Sequence, residues 1–144
     1  MNKQLKGKVL KRKLTFSILQ ENYCISFNAM ASPCEVLIET DSKPLAKKVG
    51  QAIANEVWRI EDKFSRYSSL SVCSKINCSQ GNPVTIDQET FLLLNFAEQC
   101  FQLSGGTFDI TSGVLRNVWR FDGSDNVPTE KQVNTCLAHV GWEK

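Results

Sequence analysis

The sequence predicts an α+β fold: a largely antiparallel sheet with helices packed on it, incomplete at its C-terminal end. Three observations predict it. Residues 23 to 40 read as two strands joined by a turn, and two later segments carry apolar residues at helical spacing. Strand candidates number about three against four helices, too few to finish a sheet that covers those apolar faces. At 144 residues the chain suits one domain with a proper core. Its 42% hydrophobic and 22% charged residues are ordinary for a globular protein, and no stretch approaches the length of a membrane span.

Residues 1–22 read as a basic tail, expected to be flexible. Lys3, Lys6, Lys8, Lys11, Arg12 and Lys13 are six of the 17 basic residues, and no acid precedes Glu21. The remaining 11 basic residues face 15 acidic ones, so the body carries a net charge of about −4. A basic tail on an acidic body reads as a solvated terminus and does not point to nucleic acid. The apolar stretch "LTFSIL" (Leu14 to Leu19) is too short for an export-signal core, and Gln20, Glu21 and Asn22 follow it without a cleavage site. A cytoplasmic location is expected. The six cysteines lack any C-x-x-C spacing and His139 is the single histidine, which argues against a zinc site; the thiols are expected to be reduced.

"YCISF" and "CEVLIET" are rich in β-branched and aromatic residues, and "NAMASP" between them has turn chemistry. In the second strand Val36, Ile38 and Thr40 alternate against Leu37 and Glu39. A helix is expected from Pro44 to Phe64, capped by Asp41 or Ser42, on the stripe Leu45, Val49, Ala52, Ile53, Val57, Ile60 and Phe64. The serine-rich "SRYSSLSVCSKIN" reads as a loop with local turns, and "GNPVTI" as a turn into a short extended piece. Asp87 caps a second helix whose apolar residues fill more than one face, so it is expected to be buried on most sides. A shorter helix follows through "SGVLRNVWRF". Thr129 and Gln132 then form a capping box for the last helix, which exits through Val140, Gly141 and Trp142.

Familiar catalytic constellations are missing. There is no Walker loop, no G-x-G-x-x-G after a strand, and no nucleophile motif near the one histidine. Glu61 and Asp62 fall near a helix C-terminus, where a carboxylate gains nothing from the dipole, and read as a solvated face. "SGGTFDIT" (Ser104 to Thr111) has two readings: a glycine stop to a helix, or a bend shaped around a ligand. In the second, Asp109 offers acceptors to hydroxyls or an amine, while Phe108 packs on a flat ring; Phe108 reads equally as a core aromatic.

Taken in order, "NAMASPCEV", "RIEDKFSRYSSLSVCSKIN", "SGGTFDITSGVLRNVWRF" and "VPTEKQV…VGWEK" resemble the N-terminal half of the FAD:protein FMN transferase family, also called the thiamine biosynthesis lipoprotein (ApbE) family. The resemblance covers about residues 23 to 144 and implies that this stretch is the N-terminal portion of a flavin transferase domain. It implies a magnesium-dependent enzyme that splits FAD and joins the FMN moiety, through a phosphoester, to a threonine hydroxyl of a target flavoprotein. It implies further that Met30, matching the methionine of the family's M-G-T segment, borders the FAD, as do Tyr67 and the segment Thr107, Phe108 and Asp109.

The sequence departs from the family pattern in two places. M-G-T reads Met30, Ala31, Ser32 here, and the segment D-x-G-G-x-x-K-G, with the metal-binding residues that accompany it, has no counterpart up to Lys144. The chain therefore reads as a truncated form with FAD as its substrate, Mg²⁺ ligands expected beyond its end, and catalytic residues unknown. The alternative is a non-catalytic flavin-nucleotide-binding module or an inactive fragment. Under either reading Met30, Tyr67 and Thr107 to Asp109 are expected on one concave surface.

Overall fold

The computed structural model describes residues 12–120 and 122–142. The chain forms two compact units, Met1–Val84 and Thr85–Lys144. The flexibility expected of the basic tail falls on residues 1–11, outside the described residues. The fold is α+β as expected, with a three-stranded antiparallel sheet in the first unit and helices in both.

The sheet is a meander of β1 (Thr15–Leu19), β2 (Asn22–Ala29) and β3 (Ser32–Ile38), in the order β1-β2-β3. Phe16 lies opposite Ile25, and Ile25 opposite Val36, so one face of the sheet reads across all three strands. That face holds Ile25, Phe27 and Ala29, all buried, flanked by Leu14, Phe16, Cys34, Val36 and Ile38. The alternation expected along β3 holds: Val36 and Ile38 pack on the core while Leu37 is 58% exposed.

Two corrections concern the strands. β1 lies inside the segment assigned to the tail. Phe16 in the strand and Leu14 just before it alternate with Thr15 and Ser17 and pack against the core, but the strand is too short to stand out as a hydrophobic run. Its link to β2 is the two-residue turn Gln20–Glu21, where Gln20 has φ +56° without the Asn or Gly that would advertise such a turn. β2 also runs longer than expected and β3 starts two residues earlier, so the six-residue connection "NAMASP" shrinks to the two-residue turn Met30–Ala31 between the paired Ala29 and Ser32.

Helix α1 (Lys43–Phe64) covers the sheet, starting at Ser42, whose side chain accepts from the Leu45 N–H. Its buried residues are Ala46, Gly50, Ala54 and Trp58, one per turn. This stripe sits beside the expected one: Val49, Ile53, Val57, Ile60 and Phe64 are half-buried flanks, while Leu45 and Ala52 are exposed. The small residues win the central position because they bring the helix backbone close to β2. A Cβ on Gly50 would stand 2.5 Å from Cγ1 of Ile25. Trp58 closes the stripe, its ring edge-on to Phe27 at 5.6 Å between centroids. Within the serine-rich segment, Ser71 caps a short helix α2 (Val72–Asn77) that the loop reading missed.

In the second unit, α3 (Gln88–Leu103) is capped by Asp87 as expected. Its expected burial is not observed. Phe91, Leu92, Leu93 and Phe96 are each more than half exposed, Leu103 is 89% exposed, and Thr90 is the helix's one buried residue. The described part of this unit contains no sheet, and a helix apolar on several sides needs more than one layer to cover it. The helix expected through "SGVLRNVWRF" is a 3₁₀ helix (Ile110–Asn117), and α4 (Glu130–Leu137) packs on it behind the predicted Thr129–Gln132 capping box.

Candidate functional site

Met30 and Tyr67 belong to the first unit. Met30 and Ala31 form the turn between β2 and β3, with φ +52° and +59°. Two positive φ values at the centre of a two-residue hairpin are the type I′ arrangement, which favours Asn and Gly; a residue with a Cβ costs about 1–2 kcal/mol there. The turn is held by the last turns of α1. Trp58 Nε1–H donates to the Asn28 carbonyl at 2.9 Å, and the Met30 N–H donates to Glu61 Oε1 at 2.6 Å. The Met30 side chain is left 57% exposed.

Behind Glu61 stands Arg12, which donates to both carboxylate oxygens of Asp62 at 2.9 Å and 2.5 Å and to the Trp58 carbonyl at 3.2 Å. Its guanidinium lies over the Trp58 ring at 5.5 Å and 3.7 Å from Glu61 Oε2. The hydrogen-bonded Asp62 carboxylate outweighs the opposing desolvation and raises the Arg12 pKa above its ordinary value. Glu61 and Asp62 are thus paired groups and not the plain solvated face expected of them. The Arg12–Asp62 pair is exposed enough that its strength is about 0.2–1 kcal/mol, so it steadies a position more than it stabilises the fold.

Tyr67 comes three residues after α1 ends, at the end of the unit where α1 meets the β2–β3 turn. It is 80% exposed, and Arg66 both donates to its hydroxyl at 2.7 Å and lies over its ring at 4.9 Å. Met30 thus sits beside the last turns of α1, and Tyr67 follows the end of that helix in sequence.

Thr107, Phe108 and Asp109 belong to the second unit. The glycine-stop reading of "SGG" is the one seen in the backbone. Gly105 and Gly106 take φ +60° and +81°, and Gly106 N–H closes back on the Phe101 carbonyl at 2.9 Å, ending α3. The bend then continues as a stapled turn: Phe108 N–H donates to Ser104 Oγ at 2.8 Å, and Thr107 N–H to the Ser104 carbonyl at 3.3 Å. Thr107 is exposed and Phe108 is 47% exposed.

Asp109 is the half-buried hub of this unit. Oδ1 accepts from the Thr111 N–H at 2.7 Å and the Thr111 hydroxyl at 2.6 Å, capping the 3₁₀ helix; Oδ2 accepts from the Trp142 N–H at 3.2 Å. Thr111 Oγ1 in turn accepts from the Gly141 N–H at 2.8 Å. A carboxylate accepts about four hydrogen bonds, so most of its capacity goes to ordering the chain around Phe108. Ser104, Thr111 and Glu61 make hydrogen bonds that sequence reasoning passed over. Ser104 holds Phe108 four residues away and Thr111 meets Asp109 two residues away, whereas the bonds from Gly141 to Thr111 and from Met30 to Glu61 span 30 and 31 residues and leave no local signal.

Among the described residues no three His, Cys, Asp or Glu side chains are grouped to hold a metal ion. No helix there is long and apolar enough to cross a membrane. All six cysteines are free thiols.

With this geometry in place, comparison with known proteins gives one consistent result. A family model described as the ApbE family matches residues 30–144. A FAD:protein FMN transferase of Chlamydia muridarum is 26% identical over 116 residues, which are 78% of this chain and 37% of that protein. One from Vibrio cholerae is 28% identical over 107 residues, 72% of this chain and 31% of its own length. The crystal structure of the ApbE protein of Thermotoga maritima matches with a TM-score of 0.72 and 28% identity, covering 85% of this chain and 40% of that one. The chain thus spans between three and four tenths of the length of the relatives it matches.

Proposed function

This chain belongs to the ApbE family, and on that premise we propose that it takes part in transferring the FMN moiety of FAD to a threonine hydroxyl of a target flavoprotein, contributing the surface that holds the flavin nucleotide. The observation that carries this is the family match itself, whose span of residues 30–144 includes Met30, Tyr67 and Thr107–Asp109. Each of these side chains suits the task. Met30 and Phe108 offer exposed apolar, polarizable surface to flat rings. Tyr67 adds a ring with a polar tip, and Thr107 an exposed hydroxyl. Asp109 works by fixing the backbone that carries Phe108. The five residues are proposed as contacts of the flavin nucleotide.

In the reaction proposed, the threonine oxygen forms a bond to the phosphorus of the FMN half of FAD, the pyrophosphate bond breaks, and AMP leaves with the electron pair; the hydroxyl proton goes to solvent or to a base. Family resemblance implies Mg²⁺ to neutralise the phosphates, but the described residues do not fit a metal, and no step is assigned to one. We propose the cytoplasm as the compartment.

A second reading is favoured by the described residues, among which no three His, Cys, Asp or Glu side chains are grouped to hold a metal ion: a module that binds the flavin nucleotide without splitting it. Calorimetric titration of the 144-residue chain with FAD, with and without Mg²⁺, tests both. Saturable uptake is expected, and a chain that takes up no FAD overturns the proposal. AMP release in the presence of Mg²⁺ and a threonine-bearing flavoprotein selects the transferase; uptake without AMP release selects the module.

A further inference from the structure

We infer that Glu61 is a positioning residue of the nucleotide site: its carboxylate fixes the Met30–Ala31 turn so that the Met30 side chain stands ready for the flavin nucleotide. The inference rests on the proposed flavin site and adds to it a residue that makes its contribution through another.

The turn is in a conformation that its own residues do not favour, with φ +52° at Met30 and +59° at Ala31. Backbone held in such a region persists where its surroundings over-determine it, and such places gather at functional sites. The surroundings here are visible. Trp58 takes the Asn28 carbonyl just before the turn at 2.9 Å, and Glu61 takes the Met30 N–H inside it at 2.6 Å. Both residues come from the same stretch of α1, three positions apart and therefore on one helix face. The hydrogen bond to Glu61 is charge-assisted, the stronger kind. Arg12 steadies the helix side of the clamp through Asp62, the Trp58 carbonyl and the Trp58 ring.

The arrangement does little for the core. Glu61 is only half-buried and Met30 is 57% exposed, so a clamp there orders a surface side chain beside the last turns of α1. A carboxylate that merely decorated the helix would face water, and a turn needed only to reverse the chain would settle with Asn or Gly.

The test is equilibrium FAD binding by the full chain and three variants, each checked for folding by its melting curve. Glu61→Gln keeps an oxygen where the Met30 N–H needs one, whereas Glu61→Asp keeps the charge but shortens its reach. Glu61→Ala keeps neither. The inference expects Glu61→Asp and Glu61→Ala to bind FAD about tenfold more weakly, and Glu61→Gln to stay within about twofold of the parent. It also expects the loss to shrink to about twofold when Met30 is already Ala, because the clamp then has no side chain to aim. Glu61→Asp binding like the parent, Glu61→Gln as weak as Glu61→Asp, or an undiminished loss in the Met30→Ala background would each overturn it while leaving the flavin site standing. If the alanine variant does not fold, the glutamine and aspartate pair carries the decision. A parent chain that takes up no FAD removes the functional reading and this role with it. Amide exchange at Met30 and Ala31, faster in Glu61→Asp or unchanged, then reports separately whether the clamp exists.

Discussion

Ala31 occupies the place of the glycine in the family's M-G-T segment, at a φ of +59° that a Cβ disfavours. Replacing Ala31 by Gly is therefore expected to stabilise the chain by about 0.5–1 kcal/mol, the relieved strain being partly offset by the extra freedom of glycine in the unfolded chain. A higher denaturation midpoint at unchanged m-value checks this. Asp109 makes the opposite case. Its carboxylate takes hydrogen bonds from Thr111 and Trp142, so Asp109→Ala is expected to cost about 1–3 kcal/mol of stability in the ligand-free chain, with Asp109→Asn costing less. Equal melting curves for the parent and Asp109→Ala would contradict that role. At this scale the sequence was legible wherever a partner lay nearby: Ser42, Asp87 and Thr129 are the caps that their spacing predicts. The bond from Met30 to Glu61 spans 31 residues and that from Trp142 to Asp109 spans 33, distances at which spacing carries no signal.

Among the elements, α1 carries the clearest test. Gly50 lies in the small-residue stripe against β2, and Gly50→Ala would bring a Cβ to 2.5 Å from a branch atom of Ile25 that is not free to move away. Ala gains about 1 kcal/mol in helix propensity over Gly, while overpacking costs about 1–3 kcal/mol, so the variant is expected to lose about 0–2 kcal/mol on balance. A stabilised variant would mean that the helix stands farther from the sheet than described here. The same stripe explains what could be read of α1 beforehand. Its extent followed from apolar periodicity, but its facing did not, because periodicity weighs large residues and the contact is made by Ala46, Gly50 and Ala54. β1 went unread because five residues with one half-buried apolar position, Phe16, give too little alternation. The length of α3 was legible from Asp87 and Gly105, whereas its burial depended on layers that local sequence does not reveal.

Across the whole molecule, residues that the family resemblance assigns to one nucleotide fall in two compact units: Met30 and Tyr67 in the first, Thr107, Phe108 and Asp109 in the second. Sequence motifs recognised both groups, and the structure accounts for the conformation of each: the type I′ turn held from α1, and the glycine bend held by Ser104 and Asp109. The central claim, which rests on the proposed function, is that this chain takes up FAD through these residues. Titrating FAD into the isotopically labelled 144-residue chain and following its backbone amide NMR signals tests this most directly. The account predicts saturable shifts at the amides of Met30, Tyr67, Thr107, Phe108 and Asp109. No shift at these five amides at saturating FAD would contradict it.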